Sequence, residues 1–210
     1  MKSSISFCRV GTRKSALART QSQGIADLLQ AGGLPCDLVE IISEGDRDRV
    51  NPLYAMETDA PGLFCKQLEE ALLADQIDIA VHSLKDLPTT QPQGLYVAAV
   101  PPRVGASDCL LIHPSRVNDA EPLGLPRGAR LGTSSLRREA EFLDARPDLN
   151  VSSLRGNVPS RVAQVREGKL DAAVLASAGL ERLGLDLTGI VKVDLDPNRF
   201  VPAPGQGALA

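Results

Sequence analysis

The stretch Val10-Gly11-Thr12-Arg13-Lys14-Ser15-Ala16-Leu17 has a near copy at Leu131-Gly132-Thr133-Ser134-Ser135-Leu136-Arg137-Arg138. Each reads as the end of a strand, a Gly-Thr step, a hydroxyl residue able to cap a helix, and a helix. A helix N-terminus leaves backbone N–H groups unpaired and favours an anion. Each copy adds arginine beside that end. Two such units in one chain predict two α/β lobes, each with its own anion-ready helix start; taken singly, Ser15 and Ser134 would also suit plain helix caps.

The flanking patterns fit. Ile5 to Val10 reads as a strand, Ser15 to Gln30 as a helix stopped by Gly32-Gly33, and Leu38 to Ile42 as a strand. Leu63 to Ala74 reads as a helix, Ile77 to Val81 as a buried strand, and Leu95 to Val100 as another. Pro101-Pro102 breaks the pattern, which predicts an inter-domain crossing. Strands then follow at Cys109 to Ile112, Ala129 to Leu131, Val151 to Leu154 and Ala172 to Leu175. Helices follow at Ser134 to Ala145, Val158 to Glu167 and Ala178 to Leu183. The Pro-rich stretch Asp194 to Pro204 predicts a return to the first lobe. The fold class is therefore α/β, two lobes with mixed, largely parallel sheets and a hinged cleft. The first lobe is expected to take residues 1–100 plus 199–210, and the second 103–197.

Composition narrows the function. The 210 residues carry a net charge of −3 and only 3% aromatics, with no Trp, which argues against nucleic acid as a partner. Only six of the 23 basic residues are lysines, and arginine's planar fork suits carboxylates or phosphates. No apolar run is long enough for a membrane span, and the N-terminus does not read as a signal peptide. A cytoplasmic protein with no membrane partner is expected. Cys8, Cys36, Cys65 and Cys109 show neither CxxC spacing nor a nearby His pair, so they read as buried thiols rather than metal ligands.

The chemistry concentrates in Asp78-Ile79-Ala80-Val81-His82-Ser83-Leu84-Lys85-Asp86-Leu87-Pro88, where a buried strand ends in a polar cluster. Strand C-termini of α/β sheets are where ligands bind. Asp86 offers a carboxyl for proton transfer or cation stabilisation, and Lys85 an ammonium for an anion. As an isolated pair they would also suit a solvated surface. His82 reads as a hydrogen-bonded structural residue. A second cluster is basic: Arg137, Arg138, Arg155, Arg161 and Arg182.

The runs GTRKSALARTQ, GLFCKQLEEALL, DIAVHSLKDLP, GTSSLRRE, RPDLNVSSLRGNVPSR, AGLERLGL and PAPGQGALA together resemble the successive motifs of the porphobilinogen deaminase (hydroxymethylbilane synthase) family. The resemblance implies an enzyme of tetrapyrrole (haem) biosynthesis, a transferase that polymerises four porphobilinogen units with loss of ammonia. It places the catalytic aspartate on Asp86. It places binding of the dipyrromethane primer on Ser83, Lys85, Ser135, Arg137 and Arg138. Substrate carboxylates are assigned to Arg13, Ser15, Arg155, Arg161 and Arg182. It implies a monomer without metal, and a two-lobed architecture like that of type II periplasmic binding proteins. The chain departs from the family at Glu57-Thr58-Asp59-Ala60-Pro61, acidic where a Gly-Gly-Lys-like stretch is usual. The resemblance covers domains 1 and 2. The family's third domain, which carries the cysteine that holds the primer, has no counterpart here. The chain thus reads as a natural short form or a fragment, without covalent primer. A non-catalytic or primer-deficient homologue that binds a polycarboxylate or pyrrole is the alternative.

Overall fold

A computed structural model of the chain describes residues 6–41 and 65–210. These divide into two compact units. One holds residues 6–41, 65–103 and 208–210, and the other holds 104–207.

The first unit is built on a three-stranded parallel sheet of order β2-β1-β3. Its elements are β1 (Cys8–Arg13), α1 (Ala16–Ala31), β2 (Cys36–Ile41), α2 (Lys66–Leu73) and β3 (Ile79–Ala80). Strand side chains alternate between faces. Cys8, Val10, Cys36 and Ile79 pack with Ala26, Ile25 and Leu29 of α1. Val39, Ile41 and Ala80 pack with Leu68 and Ala71 of α2 and with Ile77. Gly11 of the repeated motif lies on the α2 side, where an added Cβ would press into Ile77 and Leu68. Gly132 meets the same restriction from Leu170 and Leu154 in the second unit. The repeated glycine is thus a packing requirement in both copies.

The second unit contains β4 (Asp108–Ile112), β5 (Arg130–Gly132), α3 (Leu136–Ala145), β6 (Asn150–Ser152), α4 (Val158–Arg166), β7 (Ala172–Ala176), α5 (Ser177–Leu183) and β8 (Val191–Asp194). The sheet order is β6-β5-β7-β4-β8. β5 runs parallel to β6 and β7, and β4 antiparallel to β7 and β8, so this sheet is mixed. Leu110, Ile112, Leu131, Val174 and Phe142 of α3 form its largest core cluster. Cys109, Leu111 and Leu175 pack with Val162 of α4 and Leu180 of α5.

Several sequence expectations need correction. The chain returns to the first unit only at Ala208, so residues 199–207 belong to the second. The reason is packing: Phe200 is buried with its ring 4.9 Å from that of Phe142, and Gln206 is buried beside Asp108. Leu95 to Val100 forms no strand; it lies between prolines at 92 and 101, and Tyr96 is 82% exposed. β8 was not foreseen, because an edge strand with every residue exposed carries no burial signature. The helix after β5 is capped by Ser135, not Ser134. Ile5, Ile42 and the expected helical positions 63 and 64 lie outside the described residues.

Candidate functional site

In the first unit, β1 ends on Arg13 and α1 begins three residues later. Ser15 has extended backbone and accepts the Ala18 N–H at 3.3 Å, which caps α1. β3 runs into Val81 and then a backbone lock. The His82 N–H donates to Ala210 O and the Ala210 N–H to His82 O, each at 2.9 Å, and the Leu84 N–H donates to Ala208 O at 3.0 Å. The chain then makes a single 3-10 turn, Leu84–Asp86, in which the Asp86 N–H donates to Ser83 O at 2.9 Å. A cavity of about 70 Å³ is lined by Arg13, Ser15, Gln21, His82, Ser83 and Asp86, among others. Gln21, which sequence reasoning passed over, is buried and donates through Nε2 to Ser83 Oγ at 3.1 Å.

Asp86 keeps contact with solvent, but the surrounding protein strips much of its hydration. Burial raises its carboxyl above the usual carboxylate range, and the opposing pulls of Lys85 and Arg13 are smaller. Burial, aided by the Arg13 charge, lowers His82 to about 4, so its ring is neutral at pH 7. The arrangement is a carboxyl whose charged form is disfavoured by burial, held beside cations that can receive an anionic ligand.

In the second unit the node is Asp108, at the start of β4. It is 1% exposed. Arg138 Nη2 donates to its Oδ1 at 2.6 Å, Arg137 Nη2 to its Oδ2 at 2.7 Å, and Gln206 Nε2 to Oδ1 at 2.8 Å. Burial alone would raise this carboxyl, but the hydrogen bonds from Arg138, Arg137 and Gln206 together hold it below the usual range. Arg137 also bonds Glu141 Oε2 at 2.9 Å and Val201 O at 2.6 Å. The two adjacent arginines, predicted as primer ligands, are therefore also framework.

Asn157 caps α4 by accepting the Ser160 N–H at 2.9 Å. Arg161, in the first turn of that helix, donates to Gly156 O at 2.8 Å. Its guanidinium is pushed down by burial and by repulsion from Arg138 and Arg155. These three form a cationic cluster. Arg182 donates to Gly207 O at 2.6 Å, and burial lowers its pKa as well. The structure thus groups Arg13, Ser15, Ser83, Lys85 and Asp86 in one unit, and Ser135, Arg137, Arg138, Arg155, Arg161 and Arg182 in the other. Residues 57–61, the acidic departure, lie outside the described residues. Among the described residues no group of three or more His, Cys, Asp or Glu could hold a metal, and no helix is long and apolar enough to cross a membrane.

A family model described as porphobilinogen deaminase, dipyromethane cofactor binding domain, matches residues 8–210. The chain belongs to the porphobilinogen deaminase family. A porphobilinogen deaminase of Bacillus cereus (strain B4264) is 44% identical over 203 residues, which cover 96% of this chain and 63% of that protein. One of Caulobacter vibrioides (strain NA1000 / CB15N) is 45% identical over 214 residues, which cover 96% of this chain and 64% of that protein. The chain thus spans just under two thirds of these relatives' length. Among solved structures, the periplasmic VFT2 domain of Bordetella pertussis BvgS matches with a TM-score of 0.52 at 11% identity, covering 98% of this chain and 80% of that one. That likeness supports the mixed α/β fold alone.

The matched domain is the family's dipyrromethane-binding one, and the cationic cluster fits such a group. Arg138 Nε is buried with no hydrogen-bond partner, and Arg155 and Arg161 stand near enough to repel one another. A ligand bearing carboxylates would supply the missing acceptor and relieve that repulsion.

Proposed function

We propose that the chain acts as a hydroxymethylbilane synthase, joining porphobilinogen units with loss of ammonia. The observation that carries this reading is Asp86, held on a locked turn in a small cavity with its carboxyl raised. Raising this carboxyl favours its protonated form, which can pass its proton to the free amine of porphobilinogen's aminomethyl group, so that the C–N bond breaks and ammonia leaves. The resulting carboxylate then faces the cationic pyrrole and stabilises it until a nucleophilic pyrrole carbon bonds to the methylene and gives up its ring proton, which the Asp86 carboxylate takes back. Arg13 and Lys85 flank Asp86 and are suited to the acetate and propionate of the reacting unit. Arg155, Arg161 and Arg182 are suited to carboxylates of pyrroles already joined. Ser83, Lys85, Ser135, Arg137 and Arg138 would hold dipyrromethane, which when bound supplies the free pyrrole carbon that is extended. Ser135 and the two arginines are already tied to α3 and Asp108, so their geometry is set before any ligand arrives.

Four free, buried cysteines support a reducing, cytoplasmic setting. A monomer acting on a small molecule, without nucleic acid or membrane, is part of the same proposal. The test is incubation of the chain with porphobilinogen while ammonia and linear tetrapyrrole are measured. Stoichiometric release of both supports the reading. Saturable binding without ammonia would replace it with that of a pyrrole-binding homologue.

A further inference from the structure

The N-terminus of α2 meets the Asp86 turn through Cys65. The Cys65 side chain is fully buried, with Sγ 3.5 Å from the Asp86 carbonyl oxygen and 3.6 Å from His82 Nδ1. Burial, with the charges of Glu69 and Asp86, pushes this thiol up to about 12, so at neutral pH it keeps its proton. It then has one proton and two neighbours. The carbonyl can only accept, whereas Nδ1 can donate or accept. Both contacts are hydrogen bonds at once only when S–H points to the carbonyl and Nδ1–H points to sulfur. His82 is neutral and carries a single ring proton. With that proton on Nδ1, Nε2 is left as an acceptor on a ring that lines the same cavity as Asp86. The charged groups around this pair are Arg13 at the end of β1, Lys85 and Asp86 on the turn, and Glu69 on α2.

We propose that Cys65 and His82 are a positioning pair for Asp86: the thiol anchors the turn through the Asp86 carbonyl and fixes the imidazole as the Nδ1–H tautomer, whose Nε2 accepts a hydrogen bond from an N–H group of the ligand. The ligand class is a pyrrole N–H or the N–H of an aminomethyl amine, which a carboxyl and a neutral imidazole acceptor together can hold. This rests on reading Asp86 as the proton donor in the proposed reaction.

The test combines imidazole nitrogen NMR on the whole chain with kinetics on porphobilinogen. There are only two histidines, and a His113→Gln variant assigns the signals. In the wild type, Nδ1 of His82 should appear protonated and Nε2 unprotonated. Cys65→Val should shift the ring toward Nε2–H and lower kcat/KM about fivefold, the usual worth of one hydrogen bond. Cys65→Ser keeps a donor and an acceptor and should restore both readings. A wild-type ring protonated at Nε2 overturns the pairing without recourse to any variant. So does a Cys65→Val protein whose tautomer is unchanged. If the wild type leaves porphobilinogen unconsumed, the proposed reaction falls, and the tautomer measurement still decides the pairing.

Discussion

Asp86 and Asp108 are both aspartates beside strand ends, each near two basic residues, and their surroundings drive them in opposite directions. Asp86 is raised because Lys85 and Arg13 only partly offset lost hydration. Asp108 is more deeply enclosed and is nevertheless lowered, because Arg138, Arg137 and Gln206 donate directly to its oxygens. Burial sets the cost of charge, and directed hydrogen bonds decide whether that cost is offset. One environment disfavours the carboxylate. The other keeps a permanent anion that orders two cations.

The largest expected effect tests the structural half of this contrast. Asp108→Asn leaves Arg138 and Arg137 facing a neutral amide in a buried place. Breaking one partner of a buried ion pair typically costs about 3–5 kcal/mol, so urea unfolding should move to much lower denaturant. The pH dependence has a definite sign. A lowered carboxyl stabilises the folded state above its unfolded pKa, near 3.9, and that stability is lost as pH falls toward the folded value. The acid limb of wild-type stability should flatten in Asp108→Asn. An unchanged unfolding midpoint would show that the node contributes nothing to the fold.

Asp86→Asn tests the other half. Under the proposed reaction it should lower kcat by about 10²-fold or more, because the positioned proton and the subsequent negative charge are both gone. Stability at pH 7 should hold or rise slightly. A raised carboxyl destabilises the folded state as pH climbs from the unfolded value through the folded one, and Asn removes that loss. Turnover at the wild-type rate would remove Asp86 from the mechanism.

These two aspartates also mark what the sequence discloses. Asp86 was legible because its strand, its polar cluster and its proline are consecutive. Asp108 was not, because its partners lie at 137, 138 and 206 and nothing local announces them. The α/β units were legible from the repeated strand-Gly-Thr-cap pattern. The choice of Ser135 over Ser134 as the cap was not, since both are serines and either could cap. It is settled from a distance: Ser134 Oγ donates to Leu154 O and accepts the Leu154 N–H, both at 2.9 Å. The late return at Ala208 was hidden likewise, because three prolines suggested a linker while Phe200 packs on Phe142. Periodicity reports which face is buried, but it does not report which side chain at the far end of the chain will meet it.

A smaller effect compares the two copies of the motif. Gly11→Ala would drive a Cβ into Ile77 and Leu68, and Gly132→Ala into Leu170 and Leu154. Overpacking of this kind costs about 1–3 kcal/mol, and the neighbours are flexible side-chain ends in both. Denaturation should show losses of similar size in the two variants. Under the proposed reaction Gly11→Ala should also reduce turnover, since it disturbs the strand that carries Arg13 to the cavity. A destabilised but fully active Gly11→Ala protein would separate the motif's packing role from the site.

The smallest effect concerns the caps. Ser15 accepts the Ala18 N–H at 3.3 Å and Ser135 the Arg138 N–H at 3.5 Å. Replacing such a cap with alanine costs about 0.5–2 kcal/mol, and with glycine only a few tenths. These long bonds place both serines at the low end, so Ser15→Ala and Ser135→Ala should each lower stability by about 0.5–1 kcal/mol, with the glycine variants closer to wild type. The kinetics should then part the pair. Ser15 lines the cavity with Asp86, so under the proposed reaction its hydroxyl is also a donor for a substrate carboxylate. Ser15→Gly should therefore raise KM for porphobilinogen by about fivefold, the worth of one hydrogen bond, while stability stays nearly wild type. If stability falls in Ser15→Ala while KM is unchanged in both Ser15 variants, the residue is a cap and nothing more, and the substrate's carboxylates must be held by Arg13 and the other cations without it.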